Sequence, residues 1–245
     1  MRGQIAAGIQ KLTHGISNFY LVEEGGKLTL IDAGVSGDWG LLNQAVASSG
    51  QGLRDVQAVL LTHAHSDHTG FAERARATAH VPVWVDAADA AVAKGGRQGS
   101  TERGVGAYLL HAEAWRTLFG LIAHGGTRIV PILEVSAFDD GQTIDVAGHP
   151  KVVHVPGHTP GSAALFLEQR RVLFTGDALV MRNPLTGRRG PQIMPRALNQ
   201  NSQQALDSLS RMESLAADVL LPGHGEPWTQ GASQAVQRAR SAGFS

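Results

Sequence analysis

Three histidines and one aspartate fall within six residues in Thr62-His63-Ala64-His65-Ser66-Asp67-His68-Thr69-Gly70, directly after the apolar run Ala58-Val59-Leu60-Leu61. This cluster constrains the fold more than any other stretch of the chain. Four such side chains are too crowded to share one helix face. They suit a loop leaving a buried strand, where all can turn inward. Neutral imidazole and ionised carboxylate are first-choice ligands for zinc and also serve iron and manganese. The alternative is a polar surface loop that happens to be rich in histidine. The position after a strand, and the return of the same residue types downstream, favour metal.

Three later segments repeat the arrangement of an apolar strand ending in a potential ligand. They are Val155-Pro156-Gly157-His158, Phe174-Thr175-Gly176-Asp177 and Leu221-Pro222-Gly223-His224. Glycine at these points lets backbone approach closely where a side chain would crowd an ion. Taken singly, each His or Asp reads as a turn residue. The 245 residues contain no cysteine, so disulfides and thiolate ligation are excluded and any metal must be held by histidine and carboxylate.

Taken together, the His-x-His-x-Asp-His string and the three later segments resemble the metallo-β-lactamase fold superfamily over most of residues 15–227. The resemblance implies an α/β fold, a four-layer αββα sandwich of two β-sheets flanked by helices. It also implies two metal ions, with His63, His65 and His158 on one, Asp67, His68 and His224 on the other, and Asp177 between them. Two Zn2+ are expected, with iron or manganese as alternatives. Two divalent ions against two carboxylates leave a formal charge of about +2, which brings the pKa of bound water toward neutrality and makes a bridging hydroxide available for attack on a carbonyl. Asp67 is the expected catalytic carboxylate, orienting that nucleophile or carrying a proton.

Within the superfamily, Thr175-Gly176-Asp177-Ala178-Leu179 is similar to the matching segment of glyoxalase II-type thioesterases and of persulfide dioxygenases. Only 21 residues follow His224, too few for the helical glutathione-binding domain of the larger thioesterases. Lactonase-like members usually carry tyrosine three residues after the bridging aspartate, where this chain has Val180. The expected activity is therefore hydrolysis of an ester, thioester or lactone. A mononuclear iron persulfide dioxygenase and a β-lactamase are the alternatives.

Length and 42% hydrophobic residues are enough for one large domain spanning 1–245. A formal charge of zero gives no support to nucleic-acid binding. Neither a signal-type segment nor an apolar run of membrane-spanning length is visible, so a cytoplasmic protein acting on a small molecule, with no membrane partner, is expected. A homodimer is compatible with the sequence.

Residues 15–22 and 27–31 are expected as a hairpin about Gly25-Gly26, with Asp32 either a turn carboxylate or a partner for a ligating imidazole. Helices are expected over 38–49, 71–78 and 200–215, and strands over 81–85, 127–130, 141–146, 152–155, 165–167, 172–174 and 218–221. Pro82 argues for an edge or the start of a strand. The apolar stretch 108–123 is expected chiefly as core, with a lid over 104–124, a substrate wall or a dimer contact as the other readings. Tyr108, His111 and Arg182 are the candidate substrate contacts, the last within a loop, 182–189, that could bind carboxylate or phosphate. His14, His80, His124, His149 and His154 are expected to be surface or structural residues.

Overall fold

Residues on both faces of the central strands are apolar, so each sheet must be covered twice. The computed structural model describes residues 2–245. Strands β1 (Arg2–Ala6), β2 (Ile9–Leu12), β3 (Phe19–Glu24), β4 (Lys27–Ile31), β5 (Val56–Leu60), β6 (Val83–Asp86) and β7 (Ser136–Phe138) form a seven-stranded sheet in that order. It is antiparallel from β1 to β4 and parallel from β4 to β7. A second sheet contains β8 (Lys151–His154), β9 (Ala163–Leu167), β10 (Val172–Gly176) and, beyond a separate two-stranded ribbon of β11 (Val180–Arg182) and β12 (Arg189–Gln192), β13 (Val219–Pro222).

Alternation along the strands builds three apolar layers. Ile31, Leu60, Leu165 and Phe174 pack between the two sheets. Leu30 and Val59 face the other way, onto α1 (Trp39–Ser48), α3 (Ala72–Ala79) and α4 (Ala90–Ala93); the short α2 (Ser66–Thr69) lies within the histidine loop. Phe166 and Leu173 pack against α6 (Ser202–Ser208), α7 (Ser210–Glu213) and α8 (Ala232–Ala242), while α5 (Ala112–Ala123) lies outside these layers. The result is the expected αββα sandwich.

One edge of the sandwich collects the chemistry. β4 and β5 are parallel, β8 and β10 are both antiparallel to β9, and β10 is parallel to β13. Their C-terminal ends therefore share one side. Ala163 N–H donates to Thr62 O (2.8 Å) and Asn18 N–H to Gly223 O (2.7 Å), binding the two sheets together at that edge. Buried Tyr20 adds a third tie by donating its hydroxyl to Pro222 O (2.7 Å).

Several expectations are corrected. The stretch 108–123 is not core: Leu110 is 94% exposed, Phe119 61% and Ile122 57%, and α5 buries only Ala114. Residues 127–130 form no strand, and 141–146 contributes a single bridge, Thr143 to Lys151. Strand β6 starts after Pro82 and lies inside the sheet, so the strand-start reading of that proline holds and the edge reading does not. The helix over 200–215 is broken at Leu209 into α6 and α7.

Candidate metal centre

Leu61 and Thr62 carry the chain out of β5 into His63, and the end of β8 leads to His158. Asp177 directly follows β10, and His224 lies two residues beyond β13. These four exits bring seven side chains together in three overlapping groups: His63, His65 and His158; His63, His68 and Asp177; and Asp67, His68 and His224. In the first, His158 Nε2 is 3.2 Å from His63 Nε2 and 2.8 Å from His65 Nδ1. In the last, Asp67 Oδ2 is 3.4 Å from His224 Nε2 and 3.7 Å from His68 Nε2. Asp177 lies between the groups, 3.6 Å from His158 Nε2, 3.5 Å from His68 Nε2 and 3.2 Å from His224 Nε2.

Atoms bound at about 2.0–2.1 Å in a tetrahedron stand about 3.3 Å apart, so this spacing fits ligands around a small cation. A second observation agrees. His68 Nε2 and Asp177 Oδ1 are buried and have no hydrogen-bond partner. A buried polar atom left unsatisfied costs about 1–3 kcal/mol. Two of them facing each other at 3.5 Å are explained by a cation accepting both.

Neighbouring groups fix the imidazole tautomers. His68 Nδ1–H donates to Asp32 Oδ2 (2.8 Å), and His224 Nδ1–H donates to the carbonyl of Ile16 (2.8 Å). His158 Nδ1–H donates to Asn199 Oδ1 (3.2 Å), whose amide is oriented by its own donation to Met194 O (2.7 Å). His63 Nδ1 is 3.1 Å from Thr62 Oγ1, which donates in turn to Asp32 Oδ2 (2.9 Å). Each of these rings is left presenting Nε2 to the cluster. Asp32, at the end of β4, thus supports His68 directly and His63 through Thr62. It occupies the left-handed region (φ 59°), which aspartate and asparagine tolerate better than most residues.

Buried Asp89 joins the two main loops. It accepts from Ala64 N–H (2.9 Å) and Thr159 Oγ1 (2.8 Å) on one oxygen and from Gly161 N–H (2.9 Å) on the other. Gly223 is required by space, since a Cβ there would lie 2.1 Å from Asp177 Oδ1.

The electrostatics divide the cluster. Burial pushes His63 well below its ordinary value and lowers His65. It also pushes His158 down to about 3, with the charge of His65 adding to the effect. On the other side, burial is outweighed by Asp177 and Asp67. His68 is held well above its ordinary value and His224 is raised to about 10. Burial also opposes ionisation of Asp67 and Asp177, but the neighbouring His68 and His224 hold both carboxylates below the usual range.

A profile of the metallo-beta-lactamase superfamily matches residues 12–224, a span running from the end of β2 to His224. The chain belongs to the metallo-beta-lactamase superfamily. The chain is 28% identical to "Probable metallo-hydrolase YflN" of Bacillus subtilis, covering 92% of this chain and 87% of that one. It is 30% identical to "Uncharacterized protein YobT" of the same organism, covering 91% and 90%. A metallo-beta-lactamase family protein of Thermus thermophilus, TTHA1429, superposes with a TM-score of 0.69 at 25% identity, covering 98% of this chain and 80% of that one. TTHA1623, solved in a di-iron-bound form, superposes with a TM-score of 0.64 at 26% identity, covering 91% and 95%.

The three candidate substrate contacts separate. Arg182 lines a cavity that reaches His224. Tyr108 is buried against Ala114, Leu185 and Ala197, and His111 is exposed at the start of α5; neither lines that cavity. Of the remaining histidines, His14 pairs with buried Asp38 and stacks on His124 at 5.1 Å. No helix among the described residues is long and apolar enough to cross a membrane.

Asp32→Asn keeps the shape and the left-handed backbone but removes the charge behind His68 and Thr62. Metal affinity, measured by chelator competition, is expected to fall about 10–100-fold. Unchanged affinity would show that Asp32 serves the turn alone.

Proposed function

We propose that the protein is a dinuclear metal-dependent hydrolase of an ester, thioester or lactone. The observation that carries this reading is the pairing of two three-residue groups about one buried carboxylate, with His68 Nε2 and Asp177 Oδ1 orphaned between them. His63, His65 and His158 would hold one ion, Asp67, His68 and His224 the other, with Asp177 shared; zinc suits this donor set and iron or manganese are the alternatives. The di-iron form of a structural neighbour at 26% identity supports two ions. When bound, such ions supply hydroxide at neutral pH and polarise a carbonyl.

The chain's own residues do the rest. Among the seven, only His65 and Asp67 are half-buried rather than buried, so they mark the side from which substrate approaches. Asp67 is ionised across neutral pH and serves as the proton carrier. Its carboxylate would accept the remaining proton of the hydroxyl once that oxygen has bonded to the carbonyl carbon, and return it to the leaving oxygen or sulfur as the acyl bond breaks. The products are an acid and an alcohol from an ester, an acid and a thiol from a thioester, and a single hydroxy acid from a lactone.

A panel of esters, thioesters, lactones and a β-lactam, run beside metal quantification, tests the reading. Turnover of one of the first three classes with about two ions per chain is the expected result. One iron per chain with oxygen consumption, or no turnover in the fully loaded protein, would overturn it.

Metal loading should depend on pH at one group only. Below about 10, His224 of the metal-free protein holds a proton that an ion must displace. Apparent affinity at Asp67, His68 and His224 should therefore rise with pH, by up to about tenfold per pH unit for each proton released. His158, pushed down to about 3, holds no such proton, and its group should be nearly insensitive between pH 6 and 8. Competition titrations at pH 6, 7 and 8 measure this. Two equally steep dependences would contradict it.

A further inference from the structure

A cavity of about 450 Å3 opens beside His224, between α5, the β11–β12 ribbon and the loop after β13. Its walls carry four cationic side chains, Lys11, Arg116, Arg182 and Arg189, against two carboxylates, Glu113 and Glu226. That excess stands out in a chain whose formal charge is zero. Lys11 is already satisfied by Glu226 (2.7 Å) and the carbonyl of Gly225 (3.2 Å). The three arginines have only Glu113 between them. Arg182 pairs with it and Arg116 reaches the same oxygen at 3.3 Å. The guanidinium of Arg189 makes no hydrogen bond or ion pair among the described residues.

The placement of Arg182 and Arg189 carries the inference. They are Cα partners on adjacent antiparallel strands. Like charges directly opposite each other in such a ribbon are destabilising unless something lies between them. Burial holds Arg182 below its ordinary value; Glu113 opposes this, and Arg116 and Arg189 add to it. The ribbon is also anchored to the metal centre, because Met181 N–H donates to the carbonyl of His224 (2.9 Å). Trp228 and Met181 add apolar surface to the cavity wall.

We propose that this cavity receives an anionic group, carboxylate or phosphate, carried by the substrate away from the bond that is cleaved. Arg182 and Arg189 are its principal contacts and Arg116 stands at the rim. The proposal rests on the hydrolytic reading above and narrows its substrate to acyl compounds with an anionic tail. Planar guanidinium groups suit both anions, since each can offer two parallel N–H donors to a pair of oxygens.

The test uses metal-loaded protein and three thioesters with one leaving group and acyl chains of matched length, ending in methyl, carboxylate or phosphate. One anionic substrate should exceed the methyl substrate by at least about tenfold in kcat/KM, mainly through KM, and the better of the two identifies the anion. In Arg189→Gln, whose side chain is exposed and unpaired, that preference should fall on the order of tenfold, and Arg189→Lys should restore part of it. Equal turnover of all three substrates, or an unchanged preference in the variant, would overturn the proposal. If no thioester is cleaved, the hydrolytic reading is decided by the ester and lactone arms of the panel above, and the cavity is judged separately by calorimetry with glutarate and glycerol phosphate. Weaker binding by Arg189→Gln than by wild type supports it, and equal or absent binding in both overturns it.

Discussion

Asp177→Asn is expected to lower kcat/KM about a thousandfold or more and to leave no more than one ion per chain. A thousandfold loss corresponds to about 4 kcal/mol of transition-state stabilisation. Asp177 lies between the two groups, 3.2 Å from His224 Nε2, 3.6 Å from His158 Nε2 and 3.5 Å from His68 Nε2. Asparagine has nearly the same shape, so packing after β10 is kept. What changes is charge and donor capacity, because the amide nitrogen cannot ligate and two divalent ions cannot be held close together without the negative charge between them. Metal quantification and kinetics on the same preparation check this; two ions with full activity would exclude a bridging role.

His65→Ala should abolish turnover, again by about a thousandfold or more, while the fold survives. The reason is a division of labour within one residue. The backbone carbonyl of His65 accepts from His68 N–H (3.0 Å), Thr69 N–H (3.0 Å) and Thr69 Oγ1 (3.1 Å), and alanine keeps all three bonds. The imidazole is half-buried, and its Nδ1 is 2.8 Å from His158 Nε2. Three neutral rings whose nitrogens converge lose little when one is removed in the absence of metal. The melting temperature of metal-free His65→Ala should therefore match that of metal-free wild type. A large fall in that temperature would show that His65 is structural, and retained activity would remove it from the site.

The seven side chains that converge in the candidate site are legible in the sequence because they announce themselves locally. A buried strand ending in glycine and a ligand is a pattern of a few residues, and it occurs at His158, Asp177 and His224; the 63–68 loop lacks the glycine and shows itself by four potential ligands in six residues. The supports of these residues were not legible in the same way. Asn199 lies 41 residues from His158, and Asp89 lies 25 residues from Ala64 and 72 from Gly161. Nothing near Asp89 in an alanine-rich segment separates it from an ordinary helix-capping aspartate. The Ile16 carbonyl that orients His224 has no side-chain signature at all. Asp32 was half visible, since a carboxylate closing a strand is either a turn residue or a partner for a ligand, and only the position of His68 decides between them.

The fold shows the same limits. Strands with apolar residues on both faces, such as β4, β5 and β10, can be read from the sequence because burial leaves a continuous run. Strands β1 and β2 are short and mixed in polarity, and they depend on pairing, β1 with β2 and β2 with β3, which no local pattern reveals. Helix α5 is the opposite case. Its apolar residues suggest core, yet Trp115, Phe119 and Ile122 are exposed, because the helix lies outside the three apolar layers and is held to the ribbon by polar ties from Glu113 to Arg182 and from Thr117 to the Pro184 carbonyl (2.6 Å). Hydrophobicity reports what burial would gain and carries no information on whether a partner surface is present.

Anomalous diffraction from crystals of the metal-loaded protein tests the dinuclear centre most directly. Two peaks are predicted on either side of the Asp177 carboxylate, one bonded to His63, His65 and His158 and the other to Asp67, His68 and His224. A single peak, or peaks outside these seven side chains, would contradict it.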